Sequence, residues 1–261
     1  MHTPYATRLL RITRLALHLV RGLATAAFVF PFQTPQARNN TIRRWSARLL
    51  TGLAVRLHVH GRPHSEAPLM LVANHVSWLD IFAINSVLPA RFVAKSEIRH
   101  WPLLGWLAER SGTLFIERAR RRDTARINTE VSAALLAGDV FAVFPEGTTT
   151  DGSTVLKFHS ALLAPAVTAD AAVQPVAIRF ERADGSLCVE AAYDGDKSFW
   201  DALRGMTTQR AIDAHVWFLS SVSHAQQHRR NVATDVRNAI VLTLSPEALR
   251  NRTVRGADLR A

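Results

Sequence analysis

Beyond Gly61 the chain alternates short apolar runs with helix-patterned segments, and this alternation constrains its fold more than any other feature of the 261 residues. Short apolar runs bounded by turn formers read as buried strands, and apolar residues recurring every three to four positions read as helices. Strands are predicted over 55–60, 69–73, 91–95, 113–116, 140–144, 173–180 and 187–193. Helices are predicted over 78–88, 101–110, 122–137, 159–169, 198–204, 209–222 and 225–240. Strands interleaved with helices require an α/β fold, with a mixed, largely parallel sheet flanked by helices. No internal repeat or low-complexity linker interrupts it.

The first quarter has a different texture. The net charge of +11 suggests a nucleic-acid partner until its distribution is read. Residues 1–65 hold ten arginines and no aspartate, glutamate or lysine, while the balance beyond is only +1. On a helical wheel from Arg8 to Ala24, the residues Arg8, Arg11, Arg14, His18 and Arg21 share one arc. The opposite arc is apolar, and only Leu15 intrudes on the polar side. The uninterrupted apolar stretch Gly22–Phe32 is 11 residues long, too short to cross a hydrocarbon core of roughly 30 Å. Nor does it show a secretory cleavage pattern. A second helix is predicted from Ala37 to about Leu57. Two basic amphipathic helices that do not span read as an in-plane anchor on an anionic membrane surface. The alternative is a helical hairpin packed on its own domain. The expected organisation is therefore an anchor over 1–60, an α/β domain over 61–249 and a loosely ordered tail over 250–261.

Three segments carry chemistry. The first, Asn74-His75-Val76-Ser77-Trp78-Leu79-Asp80, follows a predicted strand and opens a helix, where open α/β sheets place ligands. A histidine oriented by a carboxylate is the usual base for activating a hydroxyl. Ser77-x-x-Asp80 reads equally as a capping box, which would leave His75 incidental. The second, Phe144-Pro145-Glu146-Gly147-Thr148-Thr149-Thr150, ends an apolar strand at a proline. Glu146 could bind a polyol or amine there, with Gly147 admitting close backbone approach; an ordinary polar turn fits as well. The third, Gly112 to Arg118, is a short strand ending in a guanidinium suited to phosphate or carboxylate.

In order and spacing, these segments resemble the glycerolipid acyltransferases of the type that acylates 1-acylglycerol-3-phosphate. That family's signature is Asn-His followed by four residues and Asp, then Gly-x-x-Phe-Ile-x-Arg, then Phe-Pro-Glu-Gly-Thr. Here they stand as Asn74-His75…Asp80, Gly112…Phe115-Ile116…Arg118 and Phe144-Pro145-Glu146-Gly147-Thr148, with a weaker fourth block at Val173-Gln174-Pro175-Val176-Ala177-Ile178. The resemblance spans 69–180 and implies that His75 is the base and Asp80 its partner. It assigns acceptor contacts to Gly112, Phe115, Arg118, Glu146, Gly147 and Thr148, with Arg118 as the phosphate ligand. It also implies an acyl thioester donor, on coenzyme A or acyl carrier protein, attacked directly by the hydroxyl of a lysolipid acceptor. The first expected acceptor is 1-acyl-sn-glycerol-3-phosphate, giving phosphatidate at the cytoplasmic face of the inner membrane. No cofactor, metal or nucleic acid is expected.

One departure bears on the acceptor. Many family members that acylate lysophosphatidate have arginine directly after the Phe-Pro-Glu-Gly-Thr block; here it is Thr149, as in members acting on other lysolipids such as lyso-ornithine lipid. Lys95 and Arg118 remain to bind a phosphate. A remote alternative from another class is a non-catalytic binder of membranes or nucleic acid. Cys188, the single cysteine, reads as buried filler. His224 and His228 have the i, i+4 spacing of a metal pair, but no third ligand stands out. His58 and His60 alternate along a strand and are expected to face outward.

Overall fold

The protein is described from a computed structural model over residues 3–117, 121–195, 197–222 and 228–250. Its chain order opens with helices α1 (Tyr5–Phe28) and α2 (Pro35–Gly52), then strands β1 (Val55–Gly61) and β2 (Leu69–Ala73), and helix α3 (Leu79–Asn85). Strand β3 (Arg91–Lys95), helices α4 (Ser96–Arg99) and α5 (Leu104–Arg110), strand β4 (Leu114–Ile116) and helix α6 (Arg121–Leu136) follow. The last part contains β5 (Val140–Val143), α7 (Ala164–Thr168), β6 (Ala172–Arg182), α8 (Phe199–Thr208), β7 (Ile212–Phe218) and α9 (Arg229–Thr243). Seven strands form one sheet in the order β1-β7-β6-β2-β5-β3-β4, and every neighbouring pair is parallel except β6 with β7.

Alternation along the strands divides the core into two layers. Leu69, Leu71 and Ala73 of β2 face a cluster built with α2, α3 and α8, while Met70 and Val72 face one built with α6, α7 and α9. β2 is buried along its whole length, as a central strand covered on both faces must be.

Two segments depart from the sequence reading. Residues 209–222 are predicted helical but form β7. Ile212, Ala214, Val216 and Phe218 alternate with Asp213 and His215, a two-residue period that puts the first set in the core. Residues 187–193 are predicted as a strand but make only a bridge, Glu181 with Leu187. Beyond Cys188 the chain folds back, Ala191 and Ala192 bonding to Cys188 and Val189, so that Tyr193 can donate its N–H to the Val76 carbonyl. The predicted helix 101–110 is likewise split. Between α4 and α5 Leu103 lies at φ +64, ψ −45, and the Leu104 N–H reaches back to the Pro102 carbonyl at 2.7 Å. This is a three-residue γ-turn of the strained kind, centred on a leucine. The predicted helix 225–240 is α9 shifted toward the C-terminus, and residues 223–227 and 251–261 lie outside the described set, His224 among them. His228 serves as N-cap of α9. β1, which a division at residue 60 leaves with the helix pair, is an edge strand of the sheet. There His58 and His60 stack against His215 of β7, and His58 pairs with Asp213 at 2.8 Å.

The helix pair packs on the domain, and α1 does so with its polarity reversed. Leu15, the residue that intrudes on the arginine arc, is buried in the core, along with Gly22 and Ala26. Arg11 is 8% exposed and donates to the carbonyls of Gln209 and Arg210 at 2.6 and 2.8 Å. His18 stacks on Trp45 of α2 at 4.6 Å. The apolar arc faces out instead, with Leu9, Leu17 and Val20 at 54, 65 and 62% exposure. No helix among the described residues is long and apolar enough to cross a membrane.

Burial lowers the pKa of the Arg11 guanidinium from its usual value, and the group donates to the carbonyls of half-buried Gln209 and exposed Arg210. Arg11→Met is expected to cost about 1–3 kcal/mol, because it removes two charge-assisted hydrogen bonds. The same change at exposed Arg14 should cost close to nothing. Thermal unfolding followed by circular dichroism would show a drop of several degrees for the first variant only.

Candidate active site

The site forms where β2 and β5 end side by side. Their register pairs Val72 with Val143; run on by three residues, it sets His75 level with Glu146. Asn74 closes the other side. Its side chain takes the Ile178 N–H at 2.8 Å and donates to the Ile178 carbonyl at 2.9 Å, extending the β2–β6 ladder with an amide that is not main chain. A buried polar residue just past a strand must find such partners.

His75 is held on every side. Its main-chain N–H donates to Glu146 Oε1 at 2.7 Å, and its carbonyl accepts the Thr150 N–H at 2.9 Å. Its ring stacks on Phe144, centroids 4.0 Å apart and planes within 12°. Its Nδ1 lies 2.8 Å from Asp80 Oδ2, on a carboxylate that is 0% exposed. That same oxygen accepts the N–H groups of Val76 and Ser77 at 2.8 and 2.9 Å.

Both sequence readings of Asp80 are therefore realised together. It reaches back to the Ser77 N–H as a capping carboxylate does, and it orients the imidazole. Only half of the box forms, because Ser77 Oγ accepts from Leu79 rather than from Asp80. An oxygen that receives two main-chain N–H groups acts as an acceptor toward the ring too, so Nδ1 carries the hydrogen and Nε2 keeps its lone pair. Chemically, a nitrogen so placed can take a proton from a hydroxyl.

Glu146 stands beneath this loop rather than in the open. It is 3% exposed, and its second oxygen accepts the Leu156 N–H at 2.7 Å. Burial raises its pKa above the ordinary glutamate value, against the pull of the two main-chain donors. Gly147, at φ +78, turns the chain where a side chain would be strained. With Thr148 and His75 it lines a cavity of about 610 Å³. The wall of this cavity is largely apolar and runs from His75 past Trp78 and Phe82 to Leu15, Gly22 and Trp45 of the N-terminal helices.

The structure does not gather every candidate at this wall. Gly112 and Phe115 do not line the cavity. Gly112 turns the chain at φ +87 and gives its carbonyl to Arg91 at 2.9 Å; Phe115 lies under the Arg99 guanidinium at 5.9 Å. Arg118 lies outside the described residues. Lys95, at the carboxyl end of β3, does line the cavity. Thr149 donates its hydroxyl to the Tyr193 carbonyl, and both residues line it too. Sequence reasoning quoted Asn74 and Thr150 within the motifs but gave them no role. For Asn74 the signal was a polar residue directly beyond an apolar strand.

Known proteins resemble the chain as a whole. The family model described as Acyltransferase matches residues 56–179. The chain is 37% identical over 255 residues to the lyso-ornithine lipid O-acyltransferase of Pseudomonas aeruginosa, covering 95% of this chain and 98% of that one. It is 34% identical to the 1-acyl-sn-glycerol-3-phosphate acyltransferase of Neisseria meningitidis, covering 88% of this chain and 90% of the relative. The crystal structure of the 1-acyl-sn-glycerophosphate acyltransferase PlsC from Thermotoga maritima shares the fold, with a TM-score of 0.67 at 23% identity over 90% of this chain and 93% of that one. The chain thus belongs to the acyltransferase family, and the protein is an acyltransferase.

Because the folded-state pKa of Glu146 is raised, the folded protein holds that proton more tightly than the unfolded chain. This contribution to stability is complete below the ordinary glutamate value and is lost as pH rises through the folded one. Denaturant titrations taken upward in pH from the ordinary glutamate value should show stability falling with pH by this increment, and Glu146→Gln should abolish it. The variant should also lose about 1–3 kcal/mol throughout, since an amide cannot accept both main-chain N–H groups.

Proposed function

We propose that the enzyme transfers a fatty acyl group from an acyl thioester, on coenzyme A or acyl carrier protein, to the free hydroxyl of a lysolipid at a membrane surface. The observation that carries this reading is the 2.8 Å contact of His75 Nδ1 with Asp80, which leaves Nε2 as the free basic nitrogen of a residue lining a long apolar cavity. The acceptor hydroxyl gives its proton to Nε2 as its oxygen attacks the thioester carbonyl carbon. The tetrahedral intermediate then collapses with cleavage of the C–S bond, and the thiolate takes the proton from the imidazolium. Asp80 stabilises that imidazolium and holds its orientation. The apolar cavity suits an acyl chain.

The reversed polarity of α1 supports the membrane surface. A helix whose apolar arc points outward while its buried arginine holds the domain has its greasy side placed for lipid, and the exposed Arg14 and Arg21 suit anionic headgroups. Among acceptors, Thr149 favours lyso-ornithine lipid over lysophosphatidate. Its hydroxyl is engaged with Tyr193, and it brings no cation to a phosphate. The lysophosphatidate reading rests on Lys95, which lines the cavity, and on Arg118.

His75→Ala should lower turnover by about 10²–10⁴-fold with an unchanged circular dichroism spectrum. Asp80→Asn, which offers the ring a wrongly matched partner, should cost on the order of 10³–10⁴-fold. A folded, fully active His75→Ala protein would remove the base from this account. Thiol release from acyl-CoA and acyl carrier protein, measured across an acceptor panel, should be fastest with lyso-ornithine lipid. A clear preference for lysophosphatidate would reverse the assignment.

A further inference from the structure

We infer that the loop Trp101–Leu103 and Trp200 at the start of α8 form a second lipid-docking element, separate from the N-terminal helices, at the rim of the cavity that contains His75. This rests on the reading of the substrate as a membrane lipid. The protein has six tryptophans, and two of them stand here as exposed residues, Trp101 and Trp200, at 37 and 70%. Leu103 adds an apolar tip at 65%. The two segments are joined by ring contacts, Trp101 to Phe199 at 6.4 Å and Phe199 to Trp200 at 5.6 Å. Trp101 and Phe199 line the cavity, so the exposed residues beside them lie at its edge, whereas Leu103 and Trp200 themselves do not line it.

The γ-turn gives a second, independent reason. Position 103 has a backbone conformation that only glycine adopts without strain, yet it carries a leucine directed largely into solvent. That side chain does nothing for the core, so its use is external. The occupant is a bilayer rather than a protein surface because of its neighbours. α1, which packs on both α5 and α8, belongs to the acid-free, arginine-rich quarter and exposes its own apolar arc. Tryptophan is also the residue that partitions to the water–lipid boundary. Lipid contact on this rim, together with α1, brings the cavity mouth against the surface in which acceptor and product reside.

The test is co-sedimentation of the full chain with vesicles of equal parts phosphatidylglycerol and phosphatidylcholine. Leu103→Gly relieves the strained turn while deleting the tip, so its fold is not at risk; Trp200→Gln removes the other residue. Each is expected to weaken vesicle partition on the order of tenfold, the effect of withdrawing one large apolar side chain from lipid. Acyl transfer to a detergent-dispersed acceptor should stay at the wild-type rate, and transfer to the same acceptor in vesicles should fall. A Leu9→Gln/Leu17→Gln variant reports the contribution of α1 separately. Wild-type binding that α1 substitution weakens and neither rim variant alters would overturn the second element while leaving the membrane reading intact. A wild-type chain that does not sediment with vesicles would overturn both.

Discussion

One carboxylate oxygen at the end of β2 organises the reactive end of this protein. Asp80 Oδ2 gathers two main-chain N–H groups and the His75 ring at 2.8–2.9 Å, in a place with no exposure to solvent. A buried carboxylate is tolerable only when its charge is met by such donors. The same contacts that make it tolerable also start α3, bend the loop after β2 and choose the histidine tautomer. Glu146 repeats the device from the neighbouring strand, pinning the His75 main chain to the segment around Leu156. Asp80 at the start of α3 thus fixes the imidazole and Glu146 after β5 fixes its main chain, and Phe144 closes the stack beneath the ring.

Parallel pairing is what brings these groups together. His75 and Glu146 are 71 residues apart, and only a crossover through α6 returns the chain in the same direction, so that both strand ends arrive on one edge. β6 then reaches the other flank of β2, where Asn74 captures Ile178. Asn74 thus ties the end of the central strand to β6 and Glu146 ties it to the loop after β5, which is how a site made of turns is fixed to the sheet beneath it.

Much of this was legible in the chain. The α/β alternation and the central strand 69–73 could be read directly, because apolar periodicity is a local feature, whereas the pairing of His75 with Asp80 came from the family resemblance rather than from its own segment. Asp80 could not be divided between cap and catalytic partner, since one oxygen serves both. β7 was misread for a physical reason. Its alternating pattern holds Asp213 and His215, whose partners lie on β1 and β6 and are invisible to a local window. The outward arc of α1 was also readable, but its orientation was not. A helical wheel shows two faces without saying which one the rest of the molecule will cover. Arg11 was assigned to an outer face and is instead buried, donating to two carbonyls after α8.

That orientation makes the N-terminal helices something other than a detachable handle. Leu15, Leu19 and Gly22 of α1 and Ile42, Trp45 and Leu49 of α2 are part of the cavity wall itself. A helix pair added merely to hold the protein in place could be trimmed away and leave the pocket whole. Here trimming would unroof it, and would take Leu15, Leu49 and Leu50 out of the core as well. The helix pair and the pocket are a single wall seen from two sides, so a shortened chain would forfeit the container along with the helices.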